Sequence, residues 1–206
     1  MRVIAGLAKG RPLHAPRGSS VRPTSDKVKG ALFSVLEALL YSRRTEVGAE
    51  VAPWEAWEGL RWLDLYSGSG ALAIEALSRG AAWADLVDGS SIACRAIRRN
   101  LSETGLEAKA RVRCRAVQAA LAGDSDLLSR GGYDIIALDP PYADPELMTV
   151  LRSLAASPLL RDGGLLAVEH SRRVSLAEGY GLLVLARRRI HGDTAFSVYV
   201  KQEASS

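Results

Sequence analysis

The strongest constraint on the fold is the alternation of strand-like and helix-like segments between Arg61 and Glu169. Apolar runs with the length of buried strands are separated by segments with helical spacing of apolar residues. The predicted strands are residues 62–66, 83–87, 111–115, 133–138 and 164–169. The predicted helices are residues 71–79, residues 92–101 and a helix that starts at Pro145 with Asp144 as its cap. This alternation predicts a parallel α/β sheet that helices cover on both faces.

The end of the chain has a different pattern. Residues 182–187 and 195–200 are both strand-like, and the short connection at Gly192 and Asp193 leaves no room for a helix. Strands joined this closely pair in the antiparallel direction. The parallel sheet is therefore expected to end in an antiparallel hairpin, which is unusual among nucleotide-binding folds.

The start of the chain is basic and contains two short β-like runs, residues 2–5 and 11–14. The first 30 residues hold seven basic side chains and one acid, although the whole chain has a net charge of only +4. Thr24 or Ser25 can cap a helix that follows. A basic segment on a nearly neutral body is typical of proteins that bind a phosphate backbone, and a solvated tail is the alternative.

Composition indicates a globular chain long enough for one domain and an extension. Of the 206 residues, 48% are hydrophobic and 24% are charged. No apolar run reaches the roughly 20 residues that span a bilayer, and the N-terminus lacks the apolar stretch of a signal peptide. The two cysteines show neither metal-ligand spacing nor a disulfide framework. We expect a cytoplasmic protein without a metal site or a membrane partner.

The segment from Asp64 to Ala73 lies where the first predicted strand turns into a helix. Gly68 and Gly70 let the backbone approach a ligand closely, and 68–73 also fits the G-x-G-x-x-A pattern of dinucleotide sites. Asp88 ends the second strand, where a carboxylate can accept hydrogen bonds from both hydroxyl groups of a ribose. Together these residues indicate an adenosine-containing cofactor; a tight turn and an exposed acid are the structural alternatives.

The segment Asp139-Pro140-Pro141-Tyr142 follows the fourth predicted strand, at the edge where α/β sheets place their active sites. The two prolines lack N–H donors and stiffen the loop, so carbonyl groups and the Asp139 carboxylate line up as acceptors. Tyr142 offers a flat ring. Acceptors beside an aromatic ring suit the exocyclic amine of a nucleobase, and a plain Pro-Pro turn is the alternative.

With these motifs the chain resembles the RsmD family, bacterial class I methyltransferases that form N2-methylguanine in 16S ribosomal RNA. The resemblance covers most of the chain. It is carried by Asp64 with Gly68-Ser69-Gly70, by the Asp139–Tyr142 loop, by residues 75–80, and by the N-terminal segments 2–6, 9–13, 22–28 and 31–33.

The resemblance implies a Rossmann-like fold with a seven-stranded, mostly parallel sheet, a C-terminal antiparallel hairpin and a small N-terminal β-hairpin. It implies that residues 1–23 are an RNA-binding extension and that residues 24–206 are a domain dependent on S-adenosylmethionine. The expected substrate is 16S rRNA in the small subunit or its assembly intermediate, and the enzyme is expected to be a monomer.

The resemblance also assigns the candidate residues. Asp139, Pro140 and Tyr142 are expected to hold the target guanine. The expected cofactor residues are Asp64, Ser67, Gly68, Gly70, Asp88 and Ala116. The expected RNA-binding residues are Lys9, Arg11, Arg22, Thr24 and Pro141. The chain departs from the family at Gly89-Ser90-Ser91, where another acid is usual, and at residues 115–117, which lack a polar side chain for adenine. Residues 42–60 read as a polar loop.

Other functions stay open at the level of sequence. The same acceptor loop serves adenine N6 or cytosine N4 in DNA, or a base in another RNA. The glycine pattern permits an NAD-dependent oxidoreductase, although the Asp139–Tyr142 loop and the terminal hairpin argue against it. A non-catalytic RNA-binding module explains the basic segment and leaves that loop without a role.

Overall fold

One mixed sheet crosses the molecule, in a computed structural model that describes residues 1–16, 25–46, 52–123, 125–128, 131–141 and 144–203. Its strands are β1 Arg61–Leu65, β2 Trp83–Asp88, β3 Ala110–Cys114, β4 Tyr133–Leu138, β5 Leu160–Ser171, β6 Gly179–Tyr180, β7 Leu183–His191 and β8 Thr194–Lys201. The helices are α1 Asp26–Glu46, α2 Ala71–Arg79, α3 Ser91–Thr104, α4 Val117–Gly123, α5 Ser125–Leu128 and α6 Leu147–Ala156. Short 3-10 helices span Pro53–Trp57 and Glu107–Lys109.

The strand order is β3-β2-β1-β4-β5-β8-β7-β6. Strands β1 to β5 are parallel, and β8, β7 and β6 continue the sheet in antiparallel pairs. The α/β fold with an antiparallel end is therefore confirmed. The described residues give eight strands, one more than expected. The additional strand is β6, whose two residues pair with Leu183 and Val184 across the turn at Gly181.

Both faces of the central parallel strands are buried, as predicted, whereas the edge strand β3 is partly exposed. On one face Trp62 packs with side chains of α1, α2, α3 and the N-terminal segment. On the other, Leu63 and Leu65 pack with α4, α5 and α6. Because each fully buried apolar side chain contributes about 1.5–3 kcal/mol, the two layers supply most of the driving force for folding. Of the described helices, none combines the length and apolar character that a membrane crossing needs.

Several element boundaries differ from the expected ones. Helix α6 begins at Leu147, two residues after Pro145, because the Asp144 carboxylate accepts the Glu146 N–H (2.9 Å) and closes a turn before the helix. Strand β5 starts earlier, at Leu160, and β7 continues to His191. Both extensions have the same cause: a neighbouring strand supplies hydrogen-bond partners that a local pattern does not show.

The interpretation of residues 42–60 as a polar loop was wrong for its described part. Helix α1 continues to Glu46, and the 3-10 helix ends at the fully buried Trp57. The Phe33 ring stacks between Trp57 (5.3 Å) and Trp62 (5.6 Å), so this segment closes the core over β1.

The N-terminal segment folds back as a hairpin held by a single antiparallel bridge between Arg2 and Pro12. Val3 donates to the Arg11 carbonyl (2.9 Å), and Val3, Ala8 and Leu13 are buried in the core of the domain. Ser25 caps α1, since its hydroxyl accepts the Val28 N–H at 3.2 Å. Residues 17–24 and the proposed boundary at residue 23 lie outside the described residues.

A buried carboxylate holds this hairpin on α2. Glu75 accepts the backbone N–H groups of Ile4 (2.8 Å) and Ala5 (3.0 Å), and it pairs with Lys29 (3.1 Å) and Arg79 (3.0 Å). The Glu75 and Lys29 side chains have no solvent exposure, and burial lowers the pKa of Lys29. The hairpin is therefore part of the folded core.

Removal of the Glu75 carboxylate is expected to destabilise the fold strongly. Glu75→Ala leaves a buried ammonium without its partner, which costs about 3–5 kcal/mol of unfolding free energy. The control Arg99→Ala removes an exposed ion pair with Glu103 and costs less than about 1 kcal/mol. Urea unfolding measures both values, and equal losses would contradict the central role of Glu75.

Candidate active site

The carboxyl ends of β1, β2 and β4 bring three predicted acids to one edge of the sheet, which we call the carboxyl edge. Asp64 in β1 lies between Leu86 and Ala137 of the two neighbouring strands. Asp88 ends β2, and Asp139 directly follows β4 with its N–H directed to the Leu65 carbonyl (3.4 Å). Three carboxylates in this small region favour a cationic ligand.

The loop after β1 is a tight turn with three residues in the left-handed region. Tyr66, Gly68 and Gly70 have φ angles of 62°, 53° and 76°. A Cβ on Gly70 would approach the Leu86 side chain to 3.0 Å, so both backbone angle and space require glycine there. Ser67 fixes the loop, because its hydroxyl donates to the Asp64 carbonyl at 2.7 Å. The glycines therefore allow the tight turn, and Gly70 lets the loop pack closely against β2 and α3.

Asp64 is buried beneath this loop. One carboxylate oxygen accepts the Ala73 N–H at the start of α2 (3.0 Å), and the other has no hydrogen-bond partner among the described residues. Burial, with smaller contributions from the charges of Asp139 and Asp88, raises the pKa of Asp64 to about 8. A buried carboxylate with an unused oxygen is a strong acceptor for a bound cation or donor.

Asp88 closes the same loop from β2. Its two oxygens accept the N–H groups of Gly68 and Ser90, both at 2.8 Å, and their remaining lone pairs can accept ribose hydroxyl groups. Where an acid was expected, Ser90 caps α3 by accepting the Ala93 N–H (3.3 Å). The Cα of Ala116 lies 3.6 Å from where a Gly89 Cβ would stand. Ala116 thus lies next to the loop after β2.

The Asp139 loop is described as far as Pro141. Asp139 is half-buried, Pro140 is buried and Pro141 is exposed. The Pro141 carbonyl accepts the Asp144 N–H (2.9 Å), so a short turn fixes the loop before α6. Tyr142 lies outside the described residues, as do Arg22 and Thr24.

Lys9 and Arg11 are exposed but do not lie at the carboxyl edge. The tip of the N-terminal hairpin contacts Ser78 near the end of α2, where Ala8 donates to the Ser78 hydroxyl at 2.9 Å. Helix α2 leaves the carboxyl edge after Gly70 and is roughly 13 Å long at 1.5 Å per residue. The Arg11 guanidinium donates to the Glu103 carbonyl (3.4 Å) near the end of α3, so Arg11 lies toward the opposite edge of the sheet.

The sequence interpretation missed Asn100 as a residue of the site. Its fully buried amide donates to the Ser69 carbonyl (2.8 Å) and the His14 carbonyl (2.9 Å), and accepts the His14 N–H (2.9 Å). Asn100 thus connects the glycine loop to the N-terminal hairpin. An amide in the apolar stripe of α3, between Ile97 and Leu101, was the signal that could have revealed it.

Glu169 is a further buried acid at the carboxyl edge. It follows Val168, which pairs with Leu138, so it lies level with Asp139 on the neighbouring strand. Among the described residues, no three or more histidine, cysteine or acidic side chains are grouped to hold a metal ion.

Comparison with known proteins identifies the family. Residues 1–200 match a family model described as Conserved hypothetical protein 95. The Bacillus subtilis (strain 168) protein YlbH, named provisionally as an rRNA methyltransferase, is 36% identical over 98% of this chain and 100% of its own length. The chain belongs to the RsmD family of class I methyltransferases. This assignment removes the oxidoreductase alternative.

Two further relatives agree with the family. The Escherichia coli (strain K12) protein named ribosomal RNA small subunit methyltransferase D is 26% identical over 98% of this chain and 90% of its own. The solved structure of the Escherichia coli protein yhhF, named provisionally as a methyltransferase, superimposes with a TM-score of 0.76 at 28% identity and covers 98% of each chain. Its similarity extends over the N-terminal hairpin as well as the sheet.

The raised pKa of Asp64 predicts a pH-dependent loss of stability. The pKa of Asp64 in the folded protein, about 8, exceeds the ordinary value of 3.8. Between these two values the folded state binds the proton more tightly than the unfolded state, so the stability is full at low pH and falls as the pH rises to about 8. Relative to Asp64→Asn, the wild type should lose up to about 1.4 kcal/mol per pH unit in this range.

Denaturant unfolding of both proteins from pH 5 to pH 9 tests this expectation. Glu107→Gln, which changes an exposed acid near the opposite edge of the sheet, serves as the control and should give a constant difference from the wild type. A constant difference for Asp64→Asn as well would show that Asp64 has an ordinary pKa.

Proposed function

We propose that this enzyme transfers a methyl group from S-adenosylmethionine to the exocyclic N2 of a guanine in 16S rRNA, within the small subunit or its assembly intermediate. The observation that supports this most is the stiff Asp139-Pro140-Pro141 loop beside the buried, partly unpaired carboxylate of Asp64. This arrangement offers acceptors for an amine next to a region that attracts a cation. The name of the Escherichia coli relative, a small-subunit rRNA methyltransferase, supports the RNA substrate.

The residues of the glycine loop fit S-adenosylmethionine. When bound, this cofactor supplies an electrophilic methyl group on a positively charged sulfur. Asp64, with its unused oxygen, suits the cationic amino-acid part of such a molecule, and Asp88 suits the ribose hydroxyl groups. Gly68 and Gly70 are proposed to contact the cofactor through their backbone, and Ala116 is proposed to offer backbone and apolar contacts to the adenine.

The chain's own contribution to the reaction is to position and activate the amine. Asp139 and the Pro140 carbonyl are proposed to accept the two N–H groups of guanine N2, while Tyr142 stacks on the base. These hydrogen bonds draw on the N–H groups and make the nitrogen lone pair available in the direction of the methyl donor. Asp139 takes the proton late, after the new bond has largely formed.

The base must leave its stack to reach this loop, so the target is expected in a loop or junction of the assembling subunit. Lys9, Arg11, Arg22, Thr24 and Pro141 are proposed to contact RNA, with residues 1–23 acting as an RNA-binding extension of the methyltransferase domain. Since Lys9 and Arg11 lie away from the carboxyl edge, they would contact RNA distant from the target base. We also propose that the enzyme acts as a monomer in the cytoplasm.

Transfer of labelled methyl groups to small ribosomal subunits that lack this modification tests the proposal. Nucleoside analysis should find the label in N2-methylguanosine. Label in another nucleoside would correct the reacting atom, and label in DNA or other RNA alone would replace the substrate class. No transfer to any nucleic acid, with cofactor binding intact, would contradict the proposal.

Replacement of Asp139 should separate binding from catalysis. Asp139→Ala is expected to keep the affinity for S-adenosylmethionine within about twofold and to lower kcat at least about 100-fold, because an acceptor acting mainly in the transition state is lost. Calorimetric titration and single-turnover transfer measure the two effects. Glu107→Gln is the control, and full activity of the Asp139 variant would refute its role.

A further inference from the structure

We propose that Arg172, Arg173, Arg187 and Arg189 form a phosphate-binding surface that holds the RNA strand next to the target nucleotide. We call these four residues the arginine surface. The inference rests on the proposed function and adds a contact region that is separate from the N-terminal hairpin.

The sheet topology places the arginine surface at the carboxyl edge. Strand β5 is parallel to β4, so the loop that follows Ser171 leaves the sheet at the same edge as Asp139. Ser171 pairs with Thr194 at the start of β8, and Thr194 pairs with His191 at the end of β7. The loop after β5 and the turn between β7 and β8 therefore lie together at the edge that carries the active site.

Direct contacts hold this loop and this turn together. The Arg172 N–H donates to the Asp193 carbonyl (2.9 Å), and its guanidinium reaches the Gly192 carbonyl (3.5 Å). The arginine surface is therefore supported by hydrogen bonds between the loop after β5 and the turn between β7 and β8. Fixed positions reduce the entropy that is lost when such side chains bind a ligand.

The charges of the arginine surface are available to a ligand. All four side chains belong to exposed residues, and within the described part of the chain none of them forms an ion pair with a carboxylate. Arg187 and Arg189 donate to the neighbouring carbonyl groups of Ala186 (2.9 Å) and Arg188 (3.1 Å). The nearby acids along the chain are Glu178 and Asp193, so positive charge prevails there.

Arg188, which lies between Arg187 and Arg189 on β7, has a structural role that these two residues do not share. Its guanidinium donates to the Ser197 hydroxyl (3.2 Å) and the Leu176 carbonyl (2.6 Å) and is half-buried. Because side chains alternate between the faces of a strand, Arg187 and Arg189 point to the opposite face, where their partners on β8 are Val198 and Phe196. That face also carries α1 and the N-terminal hairpin.

The position relative to the target base favours RNA as the occupant. Strand β7 lies three strands from β4, or roughly 14 Å at about 4.8 Å per strand, which is a short distance along a nucleic acid strand. A guanidinium group can donate two parallel hydrogen bonds to the oxygens of one phosphate. The RNA strand on either side of a flipped base carries phosphates at this distance. Arg11 lies elsewhere, because its guanidinium donates to the Glu103 carbonyl (3.4 Å) near the end of α3, toward the opposite edge of the sheet.

The test compares Arg187→Ala/Arg189→Ala with the wild type in methyl transfer to unmodified small subunits. Removal of two phosphate contacts should raise KM for the subunits roughly tenfold and lower the slope of log affinity against log salt by about 1.4 to 1.8. The value of kcat and the affinity for S-adenosylmethionine should stay unchanged, because neither arginine is proposed to hold the cofactor or the target base.

Two control variants make the result decisive. Arg187→Lys/Arg189→Lys keeps the charge and should retain most of the affinity, which separates phosphate binding from packing. Lys109→Ala/Arg152→Ala removes two exposed cations, one near the amino end of β3 and one on α6, and should leave KM and the salt slope unchanged. Wild-type activity on the subunits, with the same KM and salt slope in the Arg187/Arg189 double alanine variant, would overturn the arginine surface. Absence of wild-type activity would instead contradict the proposed function.

Discussion

The burial of the Glu75 carboxylate is the interaction on which the arrangement of the N-terminal half depends. A fully buried acid is stable only when donors surround it, and here these are Lys29, Arg79 and two backbone N–H groups of the hairpin. Three parts of the chain therefore meet at one side chain: the hairpin, α1 and α2. The close approach of Gly6 to Ser78, where no Cβ could fit, has the same consequence of fixing the hairpin on α2.

The N-terminal hairpin, fixed in this way, supports the glycine loop through α2 and α3. Asp64 accepts the Ala73 N–H at the start of α2, and Glu75 lies two residues after Ala73 on the same helix. Asn100 links the hairpin to Ser69 from α3. The glycine loop is thus held by hydrogen bonds from three directions before any ligand arrives, which limits the entropy cost of binding. The hairpin has a structural role in the active site whether or not it also contacts RNA.

The carboxyl edge carries negative charge, and positive charge lies beside it on the same edge. Asp64, Asp88 and Asp139 lie close enough that burial and mutual repulsion favour a proton on Asp64 or a cation near it. The arginines after β5 follow the strand next to β4, and those on β7 lie three strands from β4 at the same edge. We propose that a positively charged cofactor and a polyanionic substrate bind these complementary regions side by side.

Much of the candidate active site could be predicted from the sequence because its parts are local. A strand followed by Gly68 and Gly70, an acid at the end of the next strand, and Asp139 before two prolines each occupy a few consecutive residues. Parallel pairing then brings strand ends together with little further information. The buried role of Trp57 could not be predicted in this way, because its partners Phe33 and Trp62 come from other segments.

The sequence by itself determined the α/β class, the alternation of most strands and helices, the antiparallel end and the acids of the carboxyl edge, but not α4, α5 or β6. These follow from hydrophobic period and from residues at strand ends, both of which act over short distances. Only the tertiary structure decided that the basic hairpin is part of the core, that Arg11 lies near the end of α3, and that the arginines after β5 and on β7 lie at the carboxyl edge. The reason is physical: which cations share an edge depends on strand pairing and on a buried carboxylate, and both join residues that are far apart along the chain.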